Sequence, residues 1–374
     1  MSNNHIPESL AQLDDLIIAL SEIRDGYVLD AARWVEPLEQ VESLRYVGQM
    51  LSAMSELYWE AQPLHPRFVS IVDPGRKLQG DNPDAIYHYA RIDGSRKYRV
   101  TGRIQQECYT SFTLHAAADD GGMAGPLRGD VNDRDLTVDS DGCYSLTISA
   151  DEADADGGDW IDLPDDTINV IVRGYFQLPV SAQNNSGVSV DIDIECLDVD
   201  TPPPALSDEF IAGRMAEGIA FLRQVTTGQG QLGGPSAAPF VSEVPNVCPK
   251  PFSFRDSGLP VPGAADIHYA MCRWDLEPDQ ALVMRGTLPP GPFANVMLWN
   301  AHMQTLEYRV RQSSLNGDQI QLEDDGTFEI WVSAKDPGHP NWLDTDSHRR
   351  GSVFWRLLLP DEDPAQPTSE VVTI

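Results

Sequence analysis

Between Asp336 and Arg350 the chain reads DPGHPNWLDTDSHRR, which gathers His339, Asn341, Asp344, His348 and Arg349 into one short segment. An imidazole titrates near neutrality and can act as general acid or base, a neighbouring carboxylate fixes its tautomer, and a guanidinium grips an anionic group through paired hydrogen bonds. These types suit hydrolysis, elimination or proton transfer, with His348 as the leading acid/base and His339 and Asp344 beside it. His302, in LWNAHMQT, follows an apolar run and is a further catalytic candidate, and His115, in FTLHAAAD, occupies a comparable place. Arg349, Asn341, Trp299 and Tyr308 are the expected substrate contacts. The alternative for each histidine is an exposed polar loop whose imidazoles cap turns, and His268 and Tyr269 read as plain strand residues. Asp336, His339, Asp344 and His348 are metal-ligand types, but spacings of three, five and four match no standard site, so no metal is expected. The acidic run 151–166 lacks the twelve-residue calcium-loop pattern and reads as a solvated loop. GxGxxG, GxxxxGK, HExxH and GxSxG signatures are all absent, so no cofactor is implied.

The scaffold around that segment is one half of an internal repeat. PRFVSIVDPGRK (66–77) answers PFVSEVPNVCPK (239–250), IYHYARID (86–93) answers IHYAMCRWD (267–275), and YRVTGRI (98–104) answers LVMRGTL (282–288). LTVDSDGCYSLTIS (136–149) then answers IQLEDDGTFEIWVS (320–333), and DWID (159–162) answers NWLD (341–344). In both copies apolar residues alternate with polar ones on either side of an Asp-Gly turn, Asp141-Gly142 and Asp325-Gly326, the pattern of an antiparallel hairpin with one buried face. The fold expected is mainly β, two tandem jelly-roll or β-sandwich units spanning roughly 36–181 and 207–362, each preceded by an amphipathic helix. Residues 1–35 form an N-terminal helical segment, 36–200 the first helix-plus-sandwich copy and 201–374 the second, with TPPP (201–204) at the boundary. The first helix begins near Pro37 with Leu38, Val41, Leu44, Val47, Leu51, Met54 and Tyr58 as its stripe. The second is capped by Ser207 and carries Phe210, Met215, Ile219, Leu222 and Val225. The Gly-rich stretch 226–240 has no periodicity and reads as a long loop.

The repeat also sorts residues by role. Types kept in both copies, such as Trp160 and Trp342, read as scaffold, whereas polar residues found in one copy alone are candidates for function. On that ground the site is expected mainly in the second copy. Counted from the shared tryptophans, His348 stands opposite Asp166, so loss of activity on removing His348 should far exceed that on removing Asp166.

The net charge is −32, from 58 acidic and 26 basic residues, a field that repels nucleic acid. No apolar run is long enough to span a membrane, and the start lacks the features of a secretory signal, so a cytoplasmic protein is expected. The five cysteines include no C-x-x-C pair and are expected as free thiols.

At NWLD, the downstream G-x-x-x-W-R strand and the closing PAQPTSEVV (364–372), the second copy resembles the C-terminal domain of a bacterial family known as domain of unknown function 1214. DNPDAIY (81–87) is similar to the motif that opens the upstream half of longer members. The resemblance implies a jelly-roll C-terminal domain and brings no established reaction. The functional expectation is therefore a cofactor-independent hydrolase or lyase acting on a small, partly apolar organic molecule, with aromatics such as Trp274, Trp299, Trp331 and Trp355 available to line a pocket. The alternatives are a noncatalytic carbohydrate- or lipid-binding sandwich, or a structural protein that assembles as a homo-oligomer. Convergence of His302, His339 and His348 in one concavity is the feature that separates the first from the others.

Overall fold

The alternating apolar segments form strands in both halves, and the strands are arranged identically. The computed structural model describes residues 7–229, 238–255 and 266–374. In the first copy a five-stranded sheet runs in the order β1 (Val69–Ser70), β2 (Ala85–Arg91), β8 (Thr167–Tyr175), β4 (Tyr109–Ala116), β5 (Leu127–Asn132). A four-stranded sheet runs β7 (Asp159–Asp162), β6 (Cys143–Ser149), β3 (Tyr98–Arg103), β9 (Asp191–Cys196). The second copy repeats both. Its five-stranded sheet is β10 (Phe252–Ser253), β11 (Ile267–Asp275), β17 (Arg350–Leu358), β13 (Phe293–Trp299), β14 (Ser314–Asn316). Its four-stranded sheet is β16 (Trp342–Asp344), β15 (Phe328–Ser333), β12 (Gln280–Gly286), β18 (Thr368–Thr373). Adding nine to each strand number of the first copy gives the second. The closing strands β9 and β18 lie past 181 and 362, so each sandwich is longer than the sequence blocks that reveal it.

Each copy buries its own core between its two sheets, with Phe112, Leu146 and Val172 in the first and Val296, Ile330 and Trp355 in the second. The hairpin glycines Gly142 and Gly326 take φ of 85° and 83°, the left-handed conformation the Asp-Gly pairs announced. Trp160 and Trp342 are matching braces: each indole Nε1 donates at 3.0 Å to a carbonyl of the neighbouring strand, Ser149 and Ser333 respectively.

The helices depart from the expected pattern of one helix per sandwich. α1 (Glu8–Ile23), α2 (Pro37–Met54) and α3 (Asp208–Gln224) gather into one layer, α3 packing on α1 and on the π-helical turn Ser55–Trp59 that continues α2. Ser207 caps α3, its Oγ accepting from the Phe210 amide at 3.1 Å, and Met215, Ile219, Leu222 and Val225 are buried as expected. In α2 the expected stripe faces the wrong way at its first half: Leu38, Val41 and Leu44 are exposed, while Glu39, Ser43, Tyr46, Gln49 and Met50 are buried. The reason is the surface it meets, since the second copy presents Arg350, at the start of β17, and Gln304, on a loop, to Glu39 and Gln49. Thus a helix of the first copy is bolted onto the second by polar groups.

No described helix is long and apolar enough to cross a membrane. Of the Gly-rich stretch 226–240, residues 230–237 lie outside the described residues, and 226–229 continue α3 as turns.

Candidate functional site

Because β8 and β17 are central strands, one face of each five-stranded sheet packs into its own core and the other is left to find cover. The two leftover faces meet. Ala85, Tyr109 and Tyr175 of the first copy pack with Tyr269, Phe293 and Phe354 of the second, and where this contact opens it leaves a cavity of about 520 Å³. That lies in the range of small-molecule sites. The walls are mostly aromatic and aliphatic, among them Trp299, Phe354, Phe240 and Met271, with Arg173, Arg356, His115 and Asp81 as the charged or titratable members.

The polar part of this cavity is itself duplicated. Arg173 is the seventh of nine residues of β8, and Arg356 the seventh of nine of β17. Arg173 stands between Tyr87 on β2 and Ser111 on β4, and Arg356 between Tyr269 on β11 and Asn295 on β13. Both tyrosines are third in their strands, as are Ser111 and Asn295. The same count sets His115, seventh in β4, against Trp299, seventh in β13. His302, read above as the near counterpart of His115, lies three residues further on and does not line the cavity. Tyr269 does line it, so its reading as a plain strand residue was incomplete.

The guanidinium groups are held by neutral acceptors. Arg173 Nη1 donates to Thr113 Oγ1 at 2.6 Å, and Arg356 Nη2 donates to the Gly80 carbonyl at 2.6 Å and its Nη1 to Met297 Sδ at 3.2 Å, while its guanidinium lies over the Trp299 and Phe354 rings. Among the described residues no carboxylate lies within ion-pair distance of either. His115 is 3.1 Å from the Gly125 carbonyl through Nδ1, which must therefore donate, so Nε2 accepts from the Thr113 hydroxyl at 3.0 Å. Burial, helped by Arg173, pushes its pKa down to about 4, and the ring is neutral. Asp81 goes the other way: complete burial raises its carboxyl to about 6, although Lys77 and the Thr305 amide, 2.7 Å from Oδ1, favour the charged form.

The residues expected from sequence are placed elsewhere, apart from Trp299. His302 is sealed among Tyr27, Trp34 and Tyr46, with Nδ1 2.8 Å from the Tyr27 hydroxyl and Nε2 3.1 Å from the Glu39 carbonyl, so both nitrogens are occupied. His348 sits on no exposed loop. It is 7% exposed, Nδ1 donates to the Thr345 carbonyl at 2.8 Å, and Nε2 faces Glu42 Oε1 of α2 at 3.2 Å. Counting back from β17 and β8 sets it opposite Asp165 rather than Asp166, because the second copy has one more residue in this connection. His339 stacks on Trp331, and Asn341 ties Gln321 to Glu329 through its amide. Asp344 pairs with Arg311 at 2.7 Å, Arg349 with Glu277 at 2.8 Å at the surface, and Tyr308 lies under the Lys77 ammonium. The three histidines do not converge in one concavity. Among the described residues no group of three or more His, Cys, Asp or Glu forms a metal-ligand set.

His348 and Glu42 nevertheless make a testable device. Burial lowers the His348 pKa, but the Glu42 carboxylate outweighs it and the net shift is upward, while Glu42, itself pushed up by burial, is held below its ordinary value by His348. The histidine's contribution is complete below its unfolded pKa of 6.5 and is lost as pH rises through the higher folded value. The glutamate's is complete above 4.5 and lost as pH falls through the lower folded value. His348→Gln is expected to cost about 1–3 kcal/mol, with the deficit in urea melts largest between those limits and shrinking above neutrality. A deficit flat from pH 5 to 9 refutes the pairing.

With the geometry fixed, the relatives can be placed. The family described as "Protein of unknown function (DUF1214)" matches residues 88–177 and 276–362, one region in each sandwich. Both halves of the chain thus carry a region similar to the DUF1214 family. A crystal structure of an uncharacterized protein from Burkholderia cenocepacia is similar along its whole length, with 28% identity, a TM-score of 0.83 and 98% of both chains covered. The VPA0106 protein from Vibrio parahaemolyticus is more distant, at 13% identity and a TM-score of 0.49, covering 88% of this chain and 98% of its own. No curated protein matches.

The DNPDAIY segment joins the two copies. Asp84 accepts from the Asn316 amide at 2.9 Å, Asn82 Oδ1 accepts from Asn295 at 2.7 Å, and the Asp81 carbonyl accepts from the Trp299 indole at 3.2 Å. All three side chains are buried. The motif therefore clamps the second sandwich onto the first and delivers Asp81 to the cavity wall.

Proposed function

We propose that this protein binds a small organic anion with an apolar body in the cavity between its two sandwiches. The observation that carries the reading is the pair of arginines, Arg173 and Arg356, turned into an aromatic cavity with no ion-paired carboxylate among the described residues, in a chain of net charge −32. A buried cation without a counter-charge is costly, and a ligand carboxylate, sulfate or phosphate would supply it through charge-assisted hydrogen bonds. Rings on the walls would take the apolar body. The second reading is a hydrolase or lyase on the same molecule, favoured by Asp81, whose carboxyl near 6 on the cavity wall suits proton transfer. Five free thiols fit a reducing compartment, and the cytoplasm is the proposed location.

Calorimetry with aromatic and aliphatic acids, each beside its uncharged amide, tests the binding. The acids are expected to bind and the amides not to; neutral sugars or lipids binding as well as the acids would sink the reading. Asp81 faces Lys77 and Arg356, and its ionisation places a negative charge on the wall. Acid affinity is therefore expected to fall as pH rises through about 6, and Asp81→Asn to remove that dependence. Turnover of any bound acid, lost in Asp81→Asn while binding persists, would establish the second reading.

A further inference from the structure

We propose that the ligand is a dianion, with two acid groups at separate points of one apolar body, one answered by Arg173 and the other by Arg356. The proposal rests on the reading of the cavity as an organic-anion site, and its own ground is the duplication of the polar rung together with the charge count. Duplication and face-to-face packing set two equivalent guanidinium groups on opposite walls, each the seventh residue of a central strand. Each is anchored to its own side, Arg173 through Thr113 and Arg356 through the Gly80 carbonyl and, by Nη1, through the weak acceptor Met297 Sδ at 3.2 Å, and neither anchor carries a negative charge. Tyr87, which lines the cavity, feels the positive charge of both.

The charges around the cavity do not cancel. Of the described lining residues Asp81 is the sole acid. The positive charge that acts on it most is Lys77, with Arg356 acting less, and the Lys77 ammonium donates to the carbonyls of Thr305 and Leu306 at 2.6 and 3.0 Å. Asp81 and Lys77 balance one another, and His115 is neutral. Two positive charges remain, which one monoanion would half neutralise and one dianion would neutralise fully. The aromatic residues among the lining suit an apolar body that joins the two acid groups.

The test is calorimetry on the full chain at pH 7.5. The probes are α,ω-alkanedioic acids of graded length and benzene- and biphenyl-dicarboxylic acids, each compared with its monomethyl ester, which keeps the body and removes one charge. The best diacid is expected to bind about 10- to 100-fold more tightly than its monoester. Arg173→Gln and Arg356→Gln should each bring the diacid down to the monoester's level while weakening the monoester by no more than about twofold, since one acid group can use either arginine. The double variant should bind neither. Arg173→Lys and Arg356→Lys keep the charges, are checked by melting beside the Gln variants, and should retain the preference for two acid groups. If monoester and diacid bind alike and each Gln variant weakens both about tenfold, the arginines clasp a single head, and the dianion is overturned while the anion site stands. If no acid of either kind binds to the folded protein, the anion site itself falls and the dianion with it.

Discussion

Glu39→Ala is expected to cost about 3–5 kcal/mol of folding stability, the range found when one partner of a buried ion pair is removed. Glu39 is 2% exposed. Its carboxylate takes both prongs of Arg350, at 2.5 and 2.6 Å, and also accepts from the amides of Val35 and Glu36 at 2.9 and 3.1 Å. One side chain thus caps α2 and pins it to the first residue of β17, the central strand of the other copy. Burial alone would raise its pKa, but the Arg350 and backbone hydrogen bonds win, and the net shift is downward. Its contribution is therefore present above the unfolded value of 4.5 and is lost as pH falls through the lower folded value. Equilibrium urea unfolding of the variant at pH 7 and pH 4 checks this, with the deficit expected to narrow at the lower pH. Glu39→Gln should fall between alanine and wild type, because an amide oxygen still accepts from Arg350 but carries no charge. A loss under 1 kcal/mol for alanine would mean that α2 is held by its other contacts, among them Tyr46, Met50 and Gln49, without need of the Arg350 pair.

The architecture was legible because duplication writes the strand pattern twice. Asp-Gly turns, alternating residues and the shared tryptophans fixed the strands of both sandwiches, and the strand orders agree. The face of α2 was not legible. Its buried side is chosen by Arg350 and Gln304 of the other copy, and no helical periodicity encodes which polar groups will meet a partner more than 250 residues away along the chain. The candidate site was missed for a related reason. Treating residues kept in both copies as scaffold directed attention to the unmatched His348 and Arg349, whereas Arg173 and Arg356 are matched. Duplicated polar residues on the central strand of a sheet mark scaffold only when the face they occupy is core. Here that face belongs to neither core, and only the docking of the two copies turns it into a cavity. One signal was available: an arginine within each apolar central strand, INVIVRGYF and GSVFWRLLL, is a charge where a two-sided strand should carry none.

The same duplication yields a strong packing prediction, because the copies solve one contact differently. Trp274 on β11 faces Gly351 on β17, and the corresponding positions of the first copy are held by Ile92 and Ile168. The second copy has moved nearly all the volume to one partner. A Cβ at Gly351 would overlap the Trp274 ring and come within 2.6 Å of the Trp299 carbonyl oxygen. Gly351→Ala is therefore expected to cost about 3 kcal/mol or more, at the upper end for overpacking, since backbone as well as side chain must yield. Gly351→Ile should leave the second sandwich unfolded at 25 °C. Trp274 has no exposure and anchors the core, so Trp274→Ile alone should also cost about 3–5 kcal/mol, now by opening a cavity. Combining Trp274→Ile with Gly351→Ile restores the arrangement of the first copy, and the pair should lose much less than the sum of the single changes. The Trp299 carbonyl keeps the rescue partial. A double-mutant cycle measured by thermal and urea unfolding decides it: a coupling of about 2 kcal/mol or more is expected for residues in direct contact. Additive losses would show that the two copies hold their central strands by different contacts, and that the position-by-position match which pairs Arg173 with Arg356 does not extend to the far end of β17.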